Sequence, residues 1–189
     1  MRIIAGNYRG KKILQPKDKF TRPLKDLTKE SIFNIINHSN LINIDLKKSN
    51  ILDLFSGVGS FGIECLSRGV KNVVFIENYN GVLPILKKNL KNLKFIKNYN
   101  ILNLDINNGI NLKNLTEKFN IIFLDPPYKD KNLKNILIDI CEKNILEKNG
   151  IIIIHRHKNE KDSLPKTLKI VEEKKYGLSK ILFLTLFWE

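Results

Sequence analysis

From residue 50 onward, apolar residues fall alternately into short continuous runs and helical stripes. Ile51–Phe55, Asn72–Ile76, Leu93–Asn98, Ile121–Leu124 and Gly150–His155 have the length and β-branched content of buried strands. The spacing predicts helices that begin after Gly59, near Val82 and near Lys131. In the last of these, Leu133, Ile136, Leu137, Ile140 and Cys141 recur at i, i+3, i+4, i+7 and i+8. Strands alternating with such helices predict an α/β fold with a doubly wound, mostly parallel sheet. The tail changes rhythm. Lys169–Lys174 and Lys180–Phe187 flank Tyr176-Gly177 with no helix between them, so they should form an antiparallel C-terminal hairpin, and the polar stretch Arg156–Lys166 reads as a loop.

Before residue 50 the pattern is different. From Leu24 onward, Leu27, Ile32, Ile35 and Ile36 fall near one helical face, and this helix should end around Asn37 to Asn40. The first 22 residues interleave basic and apolar positions: Arg2, Arg9, Lys11, Lys12, Lys17, Lys19 and Arg22 among Ile3, Ile4, Tyr8, Ile13 and Leu14. Asn7 and Gly10 supply turn chemistry, so a small basic hairpin is expected. The chain therefore divides into a basic arm over 1–22 and one domain over 23–189, with no linker-like stretch and no internal repeat.

Composition narrows the function. A chain of 189 residues that is 42% hydrophobic can bury a proper core. A net charge of +14 and a pI near 9.7 point to a polyanionic partner, although only five of the 33 basic residues are arginine. Cys65 and Cys141 form no framework, and His38, His155 and His157 have no metal-ligand spacing. Residues Met1–Gly6 hold no signal-peptide core, and no apolar run reaches membrane length. The expectation is a cytoplasmic protein with no metal and no membrane association, acting as a monomer.

Two stretches carry candidate chemistry. After the first strand, Gly57, Gly59 and Gly62 satisfy the G-x-G-x-x-G spacing of a dinucleotide-binding turn, and Glu77 lies where an acid would hold a ribose. Asp53 argues against a dinucleotide, because a carboxylate at that mouth repels a pyrophosphate. It would attract a ligand that carries an ammonium and a sulfonium, such as S-adenosylmethionine. Asp53, Glu77, Asp105 and Asp125 all fall at or just past the carboxyl ends of the first four core strands, the edge where open α/β sheets bind ligands. Asp53 would face the methionine ammonium, Glu77 the ribose hydroxyls and Asp105 the adenine amine. In the second stretch, Asp125-Pro126-Pro127-Tyr128 follows a buried strand and should form a stiff corner that offers a carboxylate, fixed carbonyls and a flat ring. That suits a planar group with an N–H to give away.

These residues resemble the class I methyltransferases, with a Rossmann-like fold, Asp53-x-x-x-Gly57-x-Gly59 as the cofactor motif and Asp125-Pro126-Pro127-Tyr128 as the motif of enzymes that methylate exocyclic or amide nitrogens. Arg2-Ile3-Ile4-Ala5-Gly6, Tyr8-Arg9-Gly10-Lys11-Lys12, Thr21-Arg22-Pro23, Ser31-Ile32-Phe33-Asn34, Leu52–Gly57 and Leu66-Ser67-Arg68-Gly69 together resemble the bacterial 16S rRNA (guanine-N2)-methyltransferase family, RsmD, over essentially the whole chain. Two positions depart from that pattern: Leu24 stands where the family often has Thr, and Tyr79 where an Asp is common.

The resemblance implies methyl transfer from S-adenosylmethionine to the 2-amino group of one guanine in 16S rRNA of the small subunit or its assembly intermediate. It implies Asp125, Pro126 and Tyr128 at the chemistry, with Asp125 and the Pro126 carbonyl accepting the amine hydrogens and Tyr128 stacking on the base. Asp53, Phe55, Gly57, Gly59, Glu77 and Asp105 would hold the cofactor, and Arg2, Arg9, Lys11, Lys12 and Arg22 the RNA. A DNA adenine-N6 methyltransferase uses a similar corner, and a protein glutamine methyltransferase would favour Asn at position 125. A non-enzymatic RNA-binding module would explain the basic arm but not the acidic edge.

Overall fold

The β-branched runs pair into one sheet that separates two apolar layers. In the computed structural model, residues 1–17, 24–106, 115, 117–127 and 130–187 are described. Asn50–Leu54 (β1), Asn72–Ile76 (β2), Tyr99–Leu102 (β3), Phe119–Leu124 (β4) and Leu146–His157 (β5) run parallel. Leu168–Tyr176 (β6) and Ser179–Leu186 (β7) complete the sheet in the order β3-β2-β1-β4-β5-β7-β6. β7 lies antiparallel between β5 and β6, which is the expected C-terminal hairpin.

The helices are Asp26–His38 (α1), Ser60–Ser67 (α2), Leu83–Lys91 (α3) and Leu133–Glu142 (α4). Strand alternation sends Ile51, Phe75, Ile121, Phe123 and Ile153 to the layer shared with α1, α2 and α3. Leu52, Leu54, Ile122, Leu124 and Ile152 face the layer shared with α4. Each such side chain, fully buried, contributes about 1.5–3 kcal/mol. Phe33 of α1, Phe61 of α2 and Phe123 of β4 stack through the first layer, with centroids 5.4 and 4.1 Å apart. No helix among the described residues is long and apolar enough to cross a membrane.

Strand order reverses at β1, whose neighbours β2 and β4 lie on opposite sides. The crevice at such a switch opens beyond the carboxyl ends of the strands. That places Leu54, Ile76 and Leu124 at its floor.

Three expectations need correction. The third strand is Tyr99–Leu102, not Leu93–Asn98, because Leu93 is buried in the turn that ends α3 while Phe95 adopts φ +74° and turns the chain outward. On α1 the inward face is Lys29, Ile32, Phe33 and Ile36, and Leu27 is 78% exposed. A lysine takes the place of an apolar residue there because a buried acid waits opposite. The polar stretch after residue 155 is not all loop, since β5 continues through Arg156 and His157.

The arm does form a hairpin. Ile3 N donates to Lys11 O at 2.9 Å, Gly10 N to Ile3 O at 2.8 Å and Ile13 N to Met1 O at 3.1 Å. It is also part of the core, because Ile3 and Ile13 are buried in the layer with α1 and α2. Glu64 of α2, fully buried, accepts from Ile4 N at 2.8 Å, Ala5 N at 2.9 Å and Arg68 Nε at 2.9 Å. Lys29 Nζ lies 3.5 Å from the same carboxylate and donates to Arg2 O at 2.6 Å. Burial pushes the Lys29 ammonium below its usual range, and the Glu64 charge opposes that shift. At Gly6, with φ +82°, an added Cβ would stand 1.9 Å from Ser67 O, so the hairpin's approach to α2 requires glycine.

Candidate active site

At the end of β1 the chain makes a tight turn that glycine permits. Phe55 has φ +58°, Gly57 φ +56° and Gly59 φ +84° before α2 starts at Ser60. The Ser56 hydroxyl donates to Asp53 O at 2.6 Å and approaches Ile76 O at 3.0 Å, tying the turn to β1 and β2. The glycines have different reasons. A Cβ at Gly59 would meet Leu86 at 2.5 Å, and one at Gly62 would meet the Phe75 ring at 2.3 Å, so both are needed for packing. A Cβ at Gly57 would meet nothing within 4 Å, so the turn faces open space there.

Two carboxylates frame this opening. Asp53 is buried, and its Oδ2 accepts from Gly62 N at 2.9 Å. Glu77, just past β2, accepts from Gly57 N at 2.7 Å with one oxygen and from Asn78 N and Tyr79 N at 3.0 and 2.9 Å with the other. Burial holds the Asp53 carboxyl well above the usual range, opposed by the Gly62 hydrogen bond and reinforced by the charges of Asp125 and Glu77. Three acids therefore crowd one edge of a very basic chain. A cation fits such a place and a phosphate does not.

Asp125 follows β4 directly. Its side chain is 21% exposed, Pro126 behind it is buried, and its Oδ1 lies 2.9 Å from His155 Nδ1. The other ring nitrogen, Nε2, lies 2.9 Å from Ser179 Oγ. An ionised carboxylate can only accept, so Nδ1 carries the proton in that state. In a neutral ring Nε2 then accepts from the Ser179 hydroxyl. β5 and β7 thereby fix the orientation of an acid that stands just past the end of β4.

The next residue, Arg156, is buried and grips the backbone beyond the corner. It donates to Pro127 O and Asp130 O at 3.2 Å each, and its Nε donates to Asp162 at 3.0 Å. Asp130 N also donates to Pro127 O at 2.9 Å. One arginine thus ties together both ends of the segment that contains Tyr128.

Of the acids singled out from sequence, Asp53, Glu77 and Asp125 come together. Asp105 is exposed, three residues beyond the end of β3. Phe55 is half-buried at the rim of the glycine turn. Tyr128 and Arg22 lie outside the described residues. Arg2, Arg9, Lys11 and Lys12 are exposed on the arm, where Arg2 lies 3.8 Å from Asp26 and Lys11 sits 5.3 Å from the Tyr8 ring centroid. His155, Arg156 and Ser179 were not anticipated. The available signal was a His-Arg pair closing the apolar run Ile151–Ile154, whose end must lie beside that of β4 in a parallel sheet.

A family profile described as "Conserved hypothetical protein 95" matches residues 1–185. YlbH of Bacillus subtilis is 35% identical over 183 residues, covering 95% of each chain. A Haemophilus influenzae protein named Ribosomal RNA small subunit methyltransferase D is 32% identical over 179 residues, covering 94% of this chain and 90% of its own. The solved structure of yhhF from Escherichia coli superimposes with a TM-score of 0.79 at 26% identity, over 98% of this chain and 97% of that one.

Proposed function

The chain belongs to the Conserved hypothetical protein 95 family, and from that premise we propose that it methylates the 2-amino group of a guanine in small-subunit rRNA, with S-adenosylmethionine as donor. Bound S-adenosylmethionine supplies a methyl group on a positively charged sulfur. The residues present fit it. The crowded carboxylates favour its two positive charges, and the open side of Gly57 leaves room for a ligand beside them. Asp53 faces the ammonium, and Glu77, already bonded to the turn, keeps accepting capacity for ribose hydroxyls. Gly57, Gly59 and Phe55 line the approach, and Asp105 is assigned the adenine amine.

The substrate amine is a weak nucleophile because its lone pair is delocalised into the base. As the nitrogen–carbon bond forms and the carbon–sulfur bond breaks, positive charge grows on that nitrogen, and one of its protons then passes to solvent water, directly or by way of the Asp125 carboxylate. Asp125 and the Pro126 carbonyl accept the two N–H groups and stabilise that charge. His155 holds Oδ1 of Asp125, so Oδ2 is presented to the amine. Tyr128 stacks on the base, which has left its own stack to reach the site. Arg2, Arg9, Lys11, Lys12 and Arg22 hold rRNA phosphates. The protein acts in the cytoplasm, where small subunits assemble.

The observation that carries this reading is the meeting of Asp53, Glu77 and Asp125 at the glycine turn. Relatives covering nearly all of this chain are named for rRNA, which disfavours the DNA adenine reading. The test is methyl transfer from labelled S-adenosylmethionine onto naked rRNA, small subunits, DNA and protein in parallel. Label confined to DNA or protein would overturn the proposal.

A further inference from the structure

Two segments of this chain hold no carboxylate at all. Residues 1–17 and 78–104 each contain five basic residues and no Asp or Glu. The fold locks them side by side. Tyr8 Oη donates to Lys94 O and Lys11 Nζ to Asn92 O. Leu14 N donates to Asn89 Oδ1 at 2.8 Å, and Asn89 Nδ2 returns to Leu14 O at 3.1 Å. Lys87, Lys88, Lys91, Lys94 and Lys97 are all exposed on α3 and the turn after it. On α4, by contrast, an acid is present, and Asp139 lies 3.2 Å from Lys143 just past the helix end. Among these lysines stands Phe95, 95% exposed and held at φ +74°, a conformation that costs a bulky side chain energy.

We propose that this face is a second rRNA-contacting surface, in which the lysines of α3 and its following turn neutralise phosphates and Phe95 stacks on an unpaired base. The proposal rests on the rRNA reading above. Asn98, at the end of this face, bonds to Val70 O and Val73 N at the start of β2. The turn that carries Phe95 therefore lies toward the opposite end of the strands from Asp125, about 15 Å away when counted along five residues of strand alone. It serves affinity and register, not the chemistry.

The test uses a 16S rRNA transcript and the full chain. Lys91→Ala with Lys94→Ala should weaken binding and lower the slope of log affinity against log salt by about 1.4, or about 0.7 per phosphate contact on a single strand. Phe95→Ala should weaken binding about fivefold or more with the slope unchanged, and Phe95→Trp should restore it. Turnover at saturating rRNA and affinity for S-adenosylhomocysteine should stay as in the unsubstituted protein. Unchanged affinity and slope in both variants would overturn the proposal. So would an equal loss from Lys131→Ala with Lys134→Ala on the α4 side. If the unsubstituted protein leaves rRNA unmethylated, the functional reading fails first and this surface falls with it.

Discussion

His155→Leu should slow methyl transfer without impairing cofactor binding. The imidazole makes two hydrogen bonds of 2.9 Å, one to Asp125 and one to Ser179. Hydrogen bonds to a carboxylate are of a class worth ~1.5–3 kcal/mol, and the first of these two ties the Asp125 side chain to β5. If that interaction is realised in the transition state, its loss lowers kcat by about 10–150-fold. Asp125 is partly exposed, so water can solvate the freed oxygen and the fold should survive. Asn at 155 places an amide donor near the Nδ1 position and should recover most of the rate. Gln reaches toward the Nε2 position and should not. Single-turnover transfer of labelled methyl to rRNA, with cofactor affinity measured by calorimetry, separates these outcomes. Full activity in His155→Leu would refute the reasoning, as would better rescue by Gln than by Asn.

Asp53 gives a pH-dependent prediction. Its folded-state carboxyl titrates well above the ordinary range, so between those limits the folded protein holds a proton that the unfolded chain has lost, and stability falls as pH rises. A bound cation favours the ionised form. Cofactor affinity should therefore rise with pH through the same window with release of a proton, measurable by calorimetry in two buffers. Asp53→Asn should abolish that dependence and weaken binding at least about tenfold, or ~1.4 kcal/mol. Arg156→Lys loses the two-pronged hold on Pro127 O and Asp130 O and should cost ~2 kcal/mol in denaturant unfolding and about tenfold in kcat. If Tyr128 stacks on the base as proposed, Tyr128→Phe should be mild and Tyr128→Ala severe in the same transfer assay; equal losses would assign the role to the hydroxyl.

The parts of this architecture readable in the sequence were those set by local period. β1, β2, β4 and α4 declare themselves through uninterrupted apolar runs or i, i+3, i+4 spacing, and Asp53 and Asp125 sit at the ends of two such strands. The third strand was misplaced because Leu93-Lys94-Phe95-Ile96 is as apolar as Tyr99–Leu102, and only the left-handed turn at Phe95 separates them. Lys29 on the inward face of α1 makes sense only once Glu64 of α2 is opposite it, a contact 35 positions away that no periodicity encodes. The same holds at the site. His155 reaches Asp125, and Ser179 reaches His155, because β4, β5 and β7 are neighbours in the sheet, across sequence separations of 30 and 24 residues. Asp105 shows the converse: with the third strand ending at Leu102 and not Asn98, it stands exposed three residues past the strand end, closer than the sequence placed it.

The most direct test of the central claim is mass spectrometry of nucleosides from 16S rRNA treated with the protein and S-adenosylmethionine. Unmodified rRNA should be supplied both naked and in small subunits. The account predicts one N2-methylguanosine per rRNA in at least one of these forms, and a loss of about 10²-fold or more in its rate of formation with Asp125→Ala while cofactor still binds. A methyl group on adenine, on a ring nitrogen or on no base at all would contradict it, as would full activity in the Asp125→Ala protein.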